Sequence, residues 1–339
     1  MLSKEINSIK CYNDIMVYMV KGVIYLNNKA IIDKVVSNVE KTIIGKKYAI
    51  YNIIKGILAD GHILIEDVPG VGKTTLVKAL AKSLNLTYGR IQFTPDLLPS
   101  DVTGISIFNQ KTMQFEFRKG PVFSNILLAD EINRTSPKTQ SALLEAMEER
   151  QISEGNSTYE ISKPFIVLAT ENPVEHKGTF ALPEAQLDRF MIKIKIGYPD
   201  ALSEAKMLEI YKNDEPLKNI ESVTESEEIL SLQKKVREVY VSKDINNYIV
   251  SIVNATRNSR FITLGASPRA SIALLRMAQA EALLDERDYA VPEDVKSNAV
   301  SVLCHRIILS ASARANSYDS ENIIKDIVNN LAVPKIREK

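Results

Sequence analysis

Between positions 31 and 59 the apolar residues recur at helical spacing, with a break at Ile44-Gly45 that predicts two helices flanking a short turn. Beyond them, short apolar runs alternate with helical segments. Five runs, at 63–65, 91–93, 126–129, 165–169 and 192–196, predict strands. The first four carry too little polar alternation for a wet face and suit the interior of a parallel sheet covered on both sides. The fifth alternates Ile192, Ile194 and Ile196 with Lys193 and Lys195, as an edge strand with one solvated face would. Two stretches interrupt the alternation and predict β-hairpin inserts: 105–117, with the turn Asn109-Gln110-Lys111-Thr112, and 151–161, centred on Gly155-Asn156-Ser157. After Tyr198-Pro199 the strand signal stops. Helices are expected near 203–213, 225–240, 245–259, 268–285 and 292–309, with a last one after 320.

The expected architecture is therefore α/β: a parallel five-stranded sheet with β-hairpin inserts, followed by a smaller all-α domain. We divide the chain into an N-terminal extension (1–30), a nucleotide-binding core (31–199) and a helical domain (200–339). The most apolar part of the extension, 15–26, is half the length of a membrane span and is interrupted by Lys21 and Gly22. It reads as a packed or frayed helix, with a targeting element as the competing reading. Length and composition are those of a globular chain, and a formal net charge of +1 supplies no field that would hold it on nucleic acid or an anionic membrane. Two cysteines, Cys11 and Cys304, cannot build a disulfide framework, and His62, His176 and His305 lack metal-ligand spacing. A reducing, cytoplasmic setting fits best.

The chemistry begins after the first strand. Asp67-Val68-Pro69-Gly70-Val71-Gly72-Lys73-Thr74-Thr75 precedes a helix with Leu76, Val77, Leu80 and Leu84 on one face. Such a loop turns successive backbone N–H groups inward, and its glycines let the chain approach a phosphate with no Cβ in the way. Lys73 would reach the terminal phosphates of ATP and the Thr74 hydroxyl would ligate Mg²⁺. Asp67 stands where the strict pattern has glycine; Asp tolerates left-handed backbone, which is how the loop is expected to close. The third strand ends in Asp130-Glu131, at the edge of the sheet where ligands of open α/β folds bind. Asp130 is expected to hold Mg²⁺ and Glu131 to polarise the attacking water. An acid pair alone would more often mark a helix N-terminus, but its pairing with Lys73-Thr74 favours the catalytic reading.

The fourth strand runs into Thr170-Glu171-Asn172-Pro173, where Asn172 could orient the lytic water or simply begin an Asn-Pro turn. Arg269 follows Ser267-Pro268, an N-cap and first-turn pair, so a cation sits where the helix dipole disfavours it and an anion is expected nearby: a phosphate, or a carboxylate of the helical domain. Arg189, before the edge strand, could reach a phosphate in a neighbouring subunit or make a surface ion pair.

These segments, with 90–101 (RIQFTPDLLPSD), Asp130 to Arg134, Ala169 to Pro173, Leu187 to Phe190 and Gly265 to Ala270, resemble the MoxR family of AAA+ ATPases over roughly 31–310. The resemblance implies a Rossmann-like P-loop core with a helical lid and a homo-oligomeric ring, usually a hexamer, with ATP sites between subunits. It makes Lys73 and Thr74 the Walker A pair, Asp130 and Glu131 the Walker B pair, Asn172 sensor 1, Arg189 the arginine finger and Arg269 sensor 2, with Ile44-Gly45 beside the adenine. Pro69, Gly70, Val71, Gly72 and Thr75 complete the nucleotide loop, and both hairpins would face the ring pore. It further implies a chaperone-like role in maturing a client, with a partner carrying a von Willebrand factor A domain. A nucleic-acid motor is disfavoured by the near-neutral charge and by hairpin turns with Lys111 as their only basic residue. An ATP-gated binding module with little turnover is the third reading, against which Glu131 argues.

Overall fold

The computed structural model describes residues 6–12, 15–20, 23–26, 28–155, 157–172, 180–212 and 215–334. Asn156 of the second hairpin turn and Pro173 of the Asn-Pro pair lie outside these residues.

The described parts of 15–26, Ile15–Val20 and Val23–Leu26, are strand and not helix. Ile6–Tyr12 (β1), Ile15–Val20 (β2) and Val23–Leu26 (β3) form an antiparallel sheet in that order. A short run rich in Ile, Val and Tyr suits a pleated ribbon, and periodicity does not separate it from a buried helix at this length.

Asn28–Glu40 (α1) and Lys47–Leu58 (α2) flank the Ile44-Gly45 turn. His62–Glu66 (β4) leads through the glycine loop into Lys73–Ser83 (α3), then Tyr88–Gln92 (β5) and the short Pro99–Thr103 (α4). Gly104–Asn109 (β6) and Gln114–Lys119 (β7) form the first hairpin. Ile126–Asp130 (β8) precedes Pro137–Glu149 (α5), and Gln151–Glu154 (β9) with Ser157–Glu160 (β10) form the second hairpin. Ile166–Glu171 (β11), Glu184–Leu187 (α6) and Phe190–Ile194 (β12) close the core.

The main sheet has the order β12-β4-β11-β8-β5, every neighbouring pair parallel, so the alternating strand is indeed at an edge. Its faces sort by parity, as pleating requires. Ile63, Ile65, Ile126, Leu128, Ile166, Leu168, Ile192 and Ile194 belong to one buried core, which also takes in α1, α2 and α3. Leu64, Leu127, Ala129, Val167 and Ala169 face the other way, toward α5 and the hairpins, and a register shift between Phe190 and Ile192 puts Phe190 on that side as well. The Lys193 side of β12 is less wet than its alternation predicts, because Lys193 pairs with Glu66 at 2.9 Å.

The lid comprises Ala201–Tyr211 (α7), Ser226–Glu238 (α8), Lys243–Arg257 (α9), Pro268–Leu284 (α10), Pro292–Leu303 (α11), Ala311–Ala315 (α12) and Ser320–Asn330 (α13). One small departure interrupts it: the helix expected to 309 ends at Leu303, and Ile308–Leu309 (β14) pairs with Ile262–Leu264 (β13). The lid is docked on the α1–α3 face. Its Leu274, Met277, Val295 and Ile324 share one continuous core with Ile50, Ile53 and Ile57. Lys55 reaches Glu281 at 2.6 Å, and Arg306, itself buried, binds Asp188 at 2.8 Å. Among the described residues no helix is long and apolar enough to cross a membrane.

Candidate functional site

The glycine loop forms where β4 hands over to α3. Gly70 and Gly72 take φ of 89° and 84°, backbone that L side chains rarely adopt, and a Cβ on Gly70 would meet no atom within 4 Å. Gly72 is the N-cap of α3, so Lys73, Thr74 and Thr75 occupy the first turn, where free N–H groups and the positive end of the helix dipole favour an anion. The Lys73 ammonium donates to the loop's own carbonyls, Asp67 O at 2.8 Å and Val68 O at 3.2 Å.

Asp67 closes the loop by a route other than the expected one. Its backbone is not left-handed; the buried carboxylate instead accepts from Ile196 N at 2.6 Å, Gly197 N at 2.7 Å and Val68 N at 3.1 Å. A glycine could not bind the end of the edge strand in this way.

Asp130 and Thr170 stand next to each other at the ends of β8 and β11. The Thr170 hydroxyl, fully buried, donates to Asp130 Oδ1 at 2.7 Å and accepts from Glu131 N at 2.9 Å. Thr170 thus fixes both acids, a role its apolar neighbours concealed in the sequence. Arg90 donates to Asp130 Oδ2 at 3.0 Å. Glu131 has a left-handed backbone, φ 58°, and its carboxylate accepts from Gln92 at 2.8 Å and Arg134 at 3.1 Å. Asn172 is buried just past the end of β11, two residues beyond Thr170. Glu171 points to the opposite face, where burial and the nearby Glu66 raise its carboxyl to about 7 against the pull of Lys193.

The Ile44-Gly45 turn abuts the loop, since the neighbouring Ile43 lies 3.4 Å from where a Gly72 Cβ would be. Gly45 has φ 73°, and a Cβ there would collide with the Ser203 side chain of α7. The lid therefore closes directly over this turn.

Arg189 and Arg269 come together, but not here. Both bind Glu148, at the last turn of α5: Arg189 at 2.8 Å to Oε2, and Arg269 to Oε1. With Asp60 and Gly61 they line a cavity of about 250 Å³ that lies at the beginning of β4. The glycine loop lies at the other end of that strand, five residues or roughly 16 Å away. The anion expected beside Arg269 is thus a carboxylate of the core and not of the lid. Ser267 caps α10 and also donates to Asp188 Oδ2 at 2.7 Å, so Arg269 is anchored to the residue that precedes Arg189. His62 lies in the same wall. Its Nδ1 accepts from Val167 N, so Nε2 carries the proton donated to Met147 O, and burial lowers its pKa to about 4.

The residues suit Mg-ATP: an open glycine cradle, a lysine satisfied only by loop carbonyls, and the Thr74 hydroxyl and Asp130 carboxylate at the ends of adjoining elements.

Comparison with known proteins agrees. Residues 62–192 match the model of the ATPase family associated with various cellular activities (AAA), and 254–327 match an AAA lid domain. The chain is 49% identical to YeaC of Bacillus subtilis, covering 90% of this chain and 95% of that protein. It is 38% identical to chaperone MoxR1 of Mycobacterium tuberculosis, covering 90% and 83% respectively. The crystal structure of a candidate ATPase from Cytophaga hutchinsonii superposes with a TM-score of 0.85 at 43% identity, covering 91% of this chain and 96% of that one. With its P-loop core, its docked lid and these relatives, the chain belongs to the MoxR family of AAA+ ATPases.

Proposed function

We propose that the protein hydrolyses Mg-ATP at sites shared between subunits of a ring, of six members by analogy with the family, and uses the turnover to remodel a partner protein in the cytoplasm. The observation that carries this reading is the separation of two half-sites to opposite ends of β4: the phosphate loop at one end, and two adjacent arginines, away from that loop, at the other. A subunit laid head to tail against the next would join the two halves, and a rotation that closes gives a ring.

At the loop end, the backbone N–H groups of 70–75 would cradle the β- and γ-phosphates and Lys73 would leave the loop carbonyls to bind them. Ile44 and Gly45 would line the adenine. Thr74 and Asp130 would hold Mg²⁺, whose charge stabilises the phosphates. Glu131 would accept the proton of the attacking water while Asn172 orients it. The neighbour's Arg189 and Arg269 would meet the charge that develops on the transferred phosphoryl group. The first hairpin presents Met113 and Phe115, both mostly exposed, beside Phe108, and stacks Phe117 on Tyr159 of the second at 4.2 Å. An apolar tip of this kind suits a protein client better than nucleic acid. A partner with a von Willebrand factor A domain is the family's expectation.

One observation favours a second reading, an ATP-gated binding module. Glu131 is held by Gln92 and Arg134, so its carboxylate would have to leave these partners to reach an attacking water. The deciding experiment measures ATPase rate per subunit against protein concentration, for the wild type, Lys73→Ala and Arg189→Ala. A rate that rises with concentration and vanishes in both variants is expected. A flat rate at the background of Lys73→Ala would favour the gated module.

A further inference from the structure

Glu148 carries no part of the nucleotide loop, and nothing in its sequence context marks it. Yet among the described residues it is the only carboxylate paired with the guanidinium of Arg189 and with that of Arg269, one oxygen to each. Arg189 Nε is buried and donates to nothing, so its head group is held through Glu148 alone. Two guanidiniums placed side by side repel one another, and each arginine loses side-chain freedom when fixed. Without the shared carboxylate, nothing on this face would keep them parallel. Each guanidinium has five donors and spends one on Glu148, so the pair with its carboxylate still presents free N–H groups and a net positive charge to an incoming anion.

The backbone beneath is rigid on all three sides. Asp188 is gripped by Arg306 and by Ser267, which binds the base of Arg189 to the first turn of α10. Glu148 stands on the last turn of a 13-residue helix that is capped at its start by Ser136. Three elements distant in sequence thus converge on a single carboxylate.

We propose that Glu148 is the positioning residue for both arginines: it holds them as a preassembled pair that the neighbouring subunit's terminal phosphate meets without further ordering. The proposal rests on the reading that the two arginines serve the adjacent site. Preorganised charge of this kind acts on the transition state more than on substrate binding. Glu148→Ala should therefore lower kcat of the assembled ring at least tenfold while the KM for ATP moves less than about threefold. Glu148→Gln, which keeps the shape and loses the charge, should fall between the two and guards against a folding defect in the alanine variant.

The test mixes subunits before assembly. Glu131→Gln subunits keep their arginines but lack the base, and Glu148→Ala subunits keep the base. In a random 1:1 ring about a quarter of the interfaces pair a good base with good arginines, so turnover should recover to about a quarter of the wild-type rate. An Arg189→Ala plus Glu131→Gln mixture is run in parallel. If that mixture recovers and the Glu148→Ala mixture does not, Glu148 acts within its own subunit and the proposal fails. Wild-type kcat in Glu148→Ala and Glu148→Gln rings overturns it as well. If the Arg189→Ala mixture stays inactive, the shared-site reading itself is wrong and the proposal falls with it.

Discussion

The two ends of β4 are built differently. At its carboxyl end the site is made of an open glycine loop and of short buried side chains, Thr170, Asp130 and Asp67, fixed by hydrogen bonds of 2.6 to 3.1 Å. At its amino end the functional groups are two long cations on a half-exposed carboxylate. A fixed end can bind nucleotide alone, whereas an end of long side chains needs something to hold it and something to meet. On the reading proposed above, the fixed end would carry the nucleotide and the base, and the arginine end would complete the site of a neighbour.

The largest effect that would test this contrast is at Glu131. Glu131→Gln should reduce turnover by about 100-fold or more while nucleotide still binds, measured by single-turnover hydrolysis and by equilibrium binding. Unchanged hydrolysis would move the base elsewhere. Arg269→Ala sharpens the comparison further. Nucleotide affinity of dilute, unassembled subunits should stay at the wild-type value while turnover of assembled protein drops about tenfold or more. A loss of affinity in the isolated subunit would return Arg269 to its own loop.

Thr170→Val keeps the shape and removes both hydrogen bonds at the fixed end. Leaving Asp130 Oδ1 and Glu131 N without that partner should cost about 1–3 kcal/mol by denaturant unfolding and reduce turnover roughly tenfold. Equal stability in the two proteins would show that water replaces the hydroxyl. The smallest change in activity is expected at Glu171. Its carboxyl titrates near 7 in the fold against about 4.5 when unfolded, so the folded state binds the proton more tightly between those values. Stability should fall as pH rises from about 4.5 through 7, and Glu171→Gln should remove that loss, gaining roughly 3 kcal/mol at pH 8 and nothing at pH 4. Parallel melting curves across that range would contradict the assignment.

Much of the carboxyl end was legible in the chain because its signals are local. The glycine loop, the acid pair and the strand ends each declare themselves within about ten residues, and the unbroken apolar runs of four strands foretold a sheet covered on both faces. Contacts across the fold left no such trace. Thr170, Gln92 and Arg134 acquire their roles from neighbours 3 to 40 residues away, and Glu148 from partners 41 and 121 residues on. Asp67 was read as a backbone accommodation because only its own turn was considered; its partners lie 129 and 130 residues downstream. The N-terminal stretch was misread for another reason: a short apolar run has no period long enough to choose between ribbon and helix.

The continuous core between sheet and lid bears on how the molecule comes apart. Ile50, Ile53 and Ile57 are buried against Leu274 and Met277 with no solvent layer between the domains, so neither can lose its partner without exposing its own interior. Calorimetry should show one endotherm for the subunit and not two. If the proposed turnover of ATP holds, a body fused in this way would carry motion from the nucleotide loop to the lid as one piece.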